Sequence, residues 1–415
     1  MTRITALTCL LLSIIRANSS LLAWEYPRVE YRPEEARLAS GEVISGNVIH
    51  LDPDWNLTLQ QADRKHQINA AELVSWGRKR EPRRGTLVIT TCGQLLVSDW
   101  RKTDEAISIS ESGSFLLRPC AVPADQLRGV IAQLPSSSRL ADRLSDDLSR
   151  RRLEQDEFLL LNGDVLRGVW LASADEERLR LKTARALVTV AKERIQAVRP
   201  ATSRGAAELD HDQRYAILGF RDGSQLDVAA LRVRGETIEL RCRGGWNLEA
   251  DATAFWAELC FVQPRHAGIS YLSELTPTSY QHIPFLTQSW AYAFNRSAAG
   301  GALRYRDSIL SEGVGMHGTS KLTFDLKGDF RRFRAAVALD DTTGTSGSVI
   351  FRVMIDRGDQ QWKTAWASPI VRGGDAAYHV DVDLRDARRL QLEVDEAERG
   401  DEWDHANWLD ACLLK

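Results

Sequence analysis

Aromatic rings set among acidic, amide and imidazole side chains are the groups with chemistry to offer in this chain, and they gather in its last third. Trp290, Tyr292, Trp362, Trp366, Trp403 and Trp408 lie there, with Asp340, Asp341, Asp401, Asp404, Arg306, His317 and Asn407 between them. A flat ring can stack on the apolar face of a pyranose while fixed polar groups bond its hydroxyls, so the set has what saccharide recognition requires. Trp290, Trp362 and Trp403 have polar neighbours and are the stacking candidates, with Tyr292 beside them. His317, between Gly315 and Gly318, and Asp404 are the polar candidates. Trp408 stands in an apolar run and reads as core. Asp340 and Asp341 offer hard oxygen ligands to a calcium ion pinning a loop, against the plainer reading of exposed acidic loops; no EF-hand loop is present.

Catalytic spacings are missing. The chain has no Gly-x-Ser-x-Gly elbow, no His-Glu-x-x-His pair and no P-loop, so a non-enzyme is expected. A net charge of -3 with arginines interleaved among acids speaks against a nucleic-acid partner. The apolar stretch from Ile4 to Ile15, after Arg3 and before small residues, is too short to span a bilayer and reads as a signal peptide over residues 1–23. A secreted or periplasmic protein without a membrane span follows. In an oxidising compartment Cys92 with Cys120, and Cys242 with Cys260, are candidate local disulfides, the alternative being buried free thiols; Cys412, in a terminal apolar run, reads as a buried thiol.

These residues need a scaffold, and the pattern is all-β. Leu322, Phe324 and Leu326 alternate with polar neighbours, as do Val380, Val382 and Leu384, and Leu390, Leu392 and Val394. The run from Val349 to Ile355 suits a central strand buried on both faces. Short strands between turns indicate a sandwich or jelly roll over residues 267–415. Earlier, Gly-containing turns at Gly41, Gly93, Gly163 and Gly223 are each followed three residues on by an aliphatic, at Ile44, Leu96, Leu166 and Leu226. They suggest small, repeated SH3-like β-units, two over 36–134 and two over 158–266. Between them, at 135–157, Leu140, Leu144 and Leu148 recur every fourth residue, with Asp146–Arg150 and Asp147–Arg151 at ion-pair spacing. That segment reads as a helical connector serving as a spacer.

The last segment also resembles a known family. Tyr271-Leu272-Ser273-Glu274-Leu275, Gly313-Val314-Gly315 with His317 and Ser320, Leu326, Phe330 and Phe333, Asp340, Gly347-Ser348-Val349 with Phe351 and Val353, and Asp404, Ala406 and Trp408 follow one another as in NPCBM domains, which accompany glycoside hydrolases and occur in many bacterial exported proteins. Gly318 stands where the family usually has Ala, and Ala338 where it has Gly. The resemblance implies a galactose-binding-like jelly roll and a carbohydrate partner. The competing expectation is an envelope scaffold that binds other envelope proteins and no sugar.

Overall fold

The structure, a computed structural model, describes residues 27–415 apart from 83, 113–114, 151–152, 174, 202–208, 210–213, 267, 286, 307 and 399. The expected leader at 1–23 lies outside the described residues. The fold is all-β, with two α-helices among the described residues, α1 at Ser138–Arg150 and α2 at Ala252–Glu258. Among the described residues no helix is long and apolar enough to cross a membrane.

The C-terminal region is two antiparallel sheets packed face to face. One contains, in order, Arg28–Val29, Ala377–Asp383, Arg332–Leu339, His405–Leu414, Gly313–His317 and Ala293–Phe294, with Ile269–Tyr271 on the end of His405–Leu414. The other runs Ser279–His282, Ser320–Asp325, Arg389–Glu396, Ser348–Asp356 and Lys363–Ala367. Alternation decides which side chains meet. Val314, Met316, Ala406 and Trp408 from the first sheet face Leu322, Phe324, Phe351, Val353, Leu392 and Val394 from the second. Trp408 is core, edge-on to Phe351 at 5.2 Å. Ser348–Asp356 is central in its sheet, but it buries only alternate residues, with Ile350, Arg352 and Met354 partly exposed. The expectation of burial on both faces is corrected, because only one face has a sheet to cover it.

Gly313, Gly315, His317, His405, Asn407 and Leu409 have the opposite parity and point to the outer face of the first sheet. The hairpin Leu303–Tyr305 and Ser308–Leu310 covers that face at Leu409, Ala336 and Ala338. Gly315 must lack a side chain, since a Cβ there would lie 2.2 Å from Arg296 O and 2.5 Å from Ala298 N, where the backbone crosses the sheet.

The region before it is built of hairpins, most of them joined into one closed sheet system, with Asn47–Leu51, Leu57–Gln61 and Arg64–Ile68 as a separate three-stranded sheet, around a shared apolar core. The glycines of all four predicted turns adopt positive φ, from 88° to 124°. The turns at Gly41, Gly163 and Gly223 close with the same two backbone bonds, for example Gly223 N to Phe220 O and Phe220 N to Ser224 O.

Helix α1 lies between the two regions. Leu144 and Leu148 pack on Leu87, Ile89, Leu96 and Ile131, while Leu140 is exposed. The Arg150 side chain and Arg151, the partners expected within the helix, lie outside the described residues, and the acids make tertiary ion pairs. Asp147 pairs with Arg199, and Asp146 reaches Arg296 of the sandwich. Asp142 joins it, pairing with Arg304 at 2.5 Å and accepting from Ala302 N at 3.0 Å. Arg139, Asp142 and Asp146 are spaced to share the face opposite the leucines.

Neither expected disulfide is present. Cys92, Cys120, Cys242, Cys260 and Cys412 are buried free thiols, and the thiol that bonds Cys92 is that of Cys242, not Cys120. Sequence proximity pairs Cys92 with Cys120, whereas the sheet brings the second and fourth hairpins together at Gln225–Gln94 and Leu226–Gly93.

Candidate functional site

On the outer face of the first sheet, His317 and His405 are cross-strand partners. Their rings lie 5.1 Å apart, and Trp290 lies flat on His317 at 4.7 Å with 7° between planes. His405 meets the edge of Trp290 at 5.0 Å and that of Trp403 at 6.3 Å. His282 completes the group, 5.7 Å from His317, and its Nδ1 accepts from Trp290 N at 3.3 Å. Tyr280 Oη donates to Trp290 O at 2.8 Å, which fixes the tryptophan from below.

Local structure explains why Trp403 stays outside. It is 45% exposed, and its φ of 64° is costly for a bulky residue. Two contacts hold the bend. His405 N donates to Trp403 O at 2.8 Å, and that oxygen fills the space where a Cβ on Gly347 would be. Backbone strain of this kind clusters at functional sites, and here it presents an aromatic ring to solvent. Phe285 and Ile283 are exposed beside it. Phe285 N donates to Asp401 Oδ2 at 3.3 Å, tying the loop before Trp290 to the loop before Trp403.

The polar groups on these strand ends are buried. Asp404 Oδ1 accepts from Ser348 N at 2.7 Å, while Oδ2, beside Gly318, has no hydrogen-bond partner among the described residues. Burial pushes the Asp404 carboxyl up to about 7, against the pull of the Ser348 amide. Burial, and then the neighbouring His405, push the His317 imidazole down to about 4. Burial also lowers His405 and His282; the charge of Arg139, at the start of α1, adds to the effect on His405. The imidazoles are therefore neutral near pH 7, each with one donor and one acceptor nitrogen. His405 Nδ1 and Asn407 Oδ1 are likewise without a partner among the described residues. Such an array can hydrogen-bond hydroxyls from below while the tryptophans meet a sugar ring.

The structure thus brings Trp290, His317 and Trp403 together, while Asp404, next to Trp403 in the chain, turns toward Gly318 and Ser348 N of the second sheet. Tyr292 lies beside them but packs on Tyr280 and Phe294 at 5.0 and 5.2 Å, supporting rather than facing the site. Trp362 is elsewhere. It lies under the Arg389 guanidinium near Asp356, at the far end of Ser348–Asp356 from the Ser348–Asp404 bond, roughly 25 Å away along a strand of this length. Asp340 Oδ1 accepts from Thr342 N and Oγ1, and its Oδ2 accepts from Asn407 Nδ2 at 2.8 Å, so both oxygens have protein partners. Among the described residues no three His, Cys, Asp or Glu side chains are grouped to hold a metal ion. His282, Phe285 and His405 were not picked out by the sequence. The signal for His405 was its alternation with the core residues Ala406 and Trp408, which places it on the other face beside Asn407.

Residues 268–414 match the NPCBM/NEW2 domain family. No curated protein matches the chain. Among solved structures the chain is similar to a CBM51 module of a family 95 glycoside hydrolase from Clostridium perfringens in complex with methyl-galactose, with 23% identity over 35% of this chain and 99% of that one and a TM-score of 0.31. It is also similar to the CBM51-2 and INT domains of ZmpB from the same organism in complex with GlcNAc, with 21% identity, a TM-score of 0.31 and coverage of 45% of this chain and 40% of that one. A third is the tandem CBM51 modules of a family 98 glycoside hydrolase from Streptococcus pneumoniae, with 13% identity, a TM-score of 0.30 and coverage of 62% of this chain and 87% of that one. The chain thus spans less than half of the ZmpB structure.

Proposed function

We propose that the protein is an exported, non-catalytic carbohydrate-binding protein whose C-terminal sandwich holds a saccharide between Trp403 and the Trp290–His317–His405 stack. The observation that carries this reading is Trp403. It is a tryptophan in a left-handed backbone, held out to solvent near buried polar atoms that have no hydrogen-bond partner among the described residues. The family match over 268–414 supports it. The ring supplies stacking area, and neutral imidazoles and a protonated Asp404 supply donors and acceptors without a desolvated charge. Export is supported by the apolar amino end, and a non-catalytic role by the lack of any recognised catalytic spacing.

The test is a glycan array probed with the full chain, followed by calorimetry on the sugars retained. Methyl-galactose and GlcNAc, found in the two clostridial complexes, are the first probes. Retention of a defined set of glycans, weakened by Trp403→Ala, is the expected result. An array without signal would leave the scaffold reading. That reading has its own support in Val169 and Leu187, exposed apolar residues that flank Lys182 on one outward face of the third hairpin and its neighbours.

A further inference from the structure

Far from the saccharide face, two cysteines meet inside the N-terminal region. Cys92 stands in the turn between Thr86–Thr90 and Gly93–Lys102, and Cys242 ends Thr237–Cys242. Asp227 links their backbones: its N–H donates to Cys92 O at 2.8 Å, and its C=O accepts from Arg243 N at 2.8 Å. The side chains converge as a result. Cys92 Sγ accepts hydrogen bonds from the Cys242 thiol, from the Gly244 backbone and from Trp246 Nε1 at 3.2 Å, and lies 3.6 Å from Thr90 Oγ1. Both residues are buried.

A buried thiol in an apolar wall needs no such set of donors. Cys120, Cys260 and Cys412 show the ordinary case, where burial is the largest cause and they are pushed up to about 11, 11 and 12. Around Cys92 the donors outweigh burial and bring it down to about 6, with Cys242 the largest contributor. Donors directed at one sulfur favour its thiolate, the attacking species in disulfide chemistry, and the second thiol stands where a resolving cysteine must be.

We propose that Cys92 and Cys242 form a redox-active dithiol, closed to an intramolecular disulfide by exchange with a disulfide oxidant. The Cys92 thiolate attacks one sulfur of the oxidant, and the other leaves as a thiolate. Cys242 gives its proton to that leaving group and attacks Cys92 Sγ, expelling the second oxidant sulfur, which takes up the proton Cys92 had released. Two protein thiols and one oxidant disulfide thus become one protein disulfide and two oxidant thiols. Because the 242–246 turn covers both sulfurs, the exchange takes place before that turn closes in folding, or when it opens. The bond would tie the second hairpin to the fourth and close a loop of about 150 residues, which restricts the unfolded chain.

The experiment uses the full chain, unfolded in reductant and refolded in oxidised glutathione, and mapped by mass spectrometry of unreduced peptides. A Cys92 peptide joined to a Cys242 peptide is expected, with two thiols fewer than in chain refolded under reductant and a higher melting temperature that dithiothreitol reverses. Cys120→Ser and Cys260→Ser variants should keep the linkage. Recovery of Cys92 and Cys242 as free thiols, or of Cys92 joined to Cys120, overturns the proposal. The peptide map of the unsubstituted chain decides the matter, so no variant that might misfold is required.

Discussion

Trp290 lies parallel to the His317 imidazole, 4.7 Å above it, and this stack separates a buried polar floor from an exposed aromatic rim. The two rings come from different elements. His317 ends an inner strand, and Trp290 belongs to the segment that leads from Ser279–His282 to Ala293–Phe294. Removing the upper ring uncovers the lower one, so binding and stability are linked at Trp290 and separable at Trp403.

Trp403→Ala should weaken glycan binding about tenfold, in line with about 1–1.5 kcal/mol for an aromatic contact, with an unchanged melting temperature. Trp290→Ala should weaken binding comparably and also lower the melting temperature. Trp362→Ala, at the opposite end of the sandwich, should leave binding intact. Calorimetric titration beside differential scanning calorimetry reads all three.

Asp404 makes stability depend on pH in a direction unusual for a carboxylate. Its folded value, about 7, lies above the unfolded value near 3.8. Between these values the folded state holds a proton that the unfolded state has lost, so this contribution is complete at low pH and disappears as pH rises through 7. His317, folded about 4 against 6.5, works the other way and gains as pH rises from 4 to 6.5. Asp404→Asn removes the first effect alone. The variant should therefore gain on the unsubstituted protein between pH 5 and pH 8, by up to about 2.5 kcal/mol, in urea unfolding at the two pH values. A constant difference between the curves would count against the buried protonated carboxyl.

Gly318 matters for the same carboxyl. A Cβ there would lie 2.9 Å from Asp404 Oδ2 and 3.1 Å from its Cβ. Asp404 is tied to Ser348 N and cannot move freely. Gly318→Ala should cost about 1–2 kcal/mol and weaken glycan binding by displacing Asp404, as chemical denaturation and titration would register. Unaltered affinity would place Asp404 outside the ligand's reach.

The clamp on α1 can be opened without touching either core. Asp142→Asn with Asp146→Asn removes the charges facing Arg304 and Arg296. Hydrogen exchange should quicken at 295–304, with about 1–2 kcal/mol of stability lost. The Leu144 and Leu148 face should stay protected, since it packs on the other region.

The sheets of the sandwich were legible because period-two burial is written locally, as in Leu390, Leu392 and Val394, all fully buried. The candidate site was half legible. Trp403 and His317 stand out by type and by their neighbours, but nothing local marks Trp362 as belonging to the other rim, because strand length and direction separate residues that composition groups together. Cys92 misled for a related reason. Its nearest partner in sequence terms, Cys120, lies in the same unit, while Cys242 is brought to it by a sheet contact between distant hairpins. The tertiary pairs of Asp146 with Arg296 and of Asp147 with Arg199 were not legible, because they depend on segments about 150 and 50 residues away along the chain.

Arg28–Val29 is the first described strand, yet it hydrogen-bonds Ala377–Asp383 at the border of the last module. Ribosomal synthesis must therefore leave this ribbon waiting until nearly the whole polypeptide has emerged. A fragment cut at 268 would bare the flank of Ala377–Asp383 and invite self-association there, so a recombinant sandwich meant for glycan work should carry its amino-terminal seam with it.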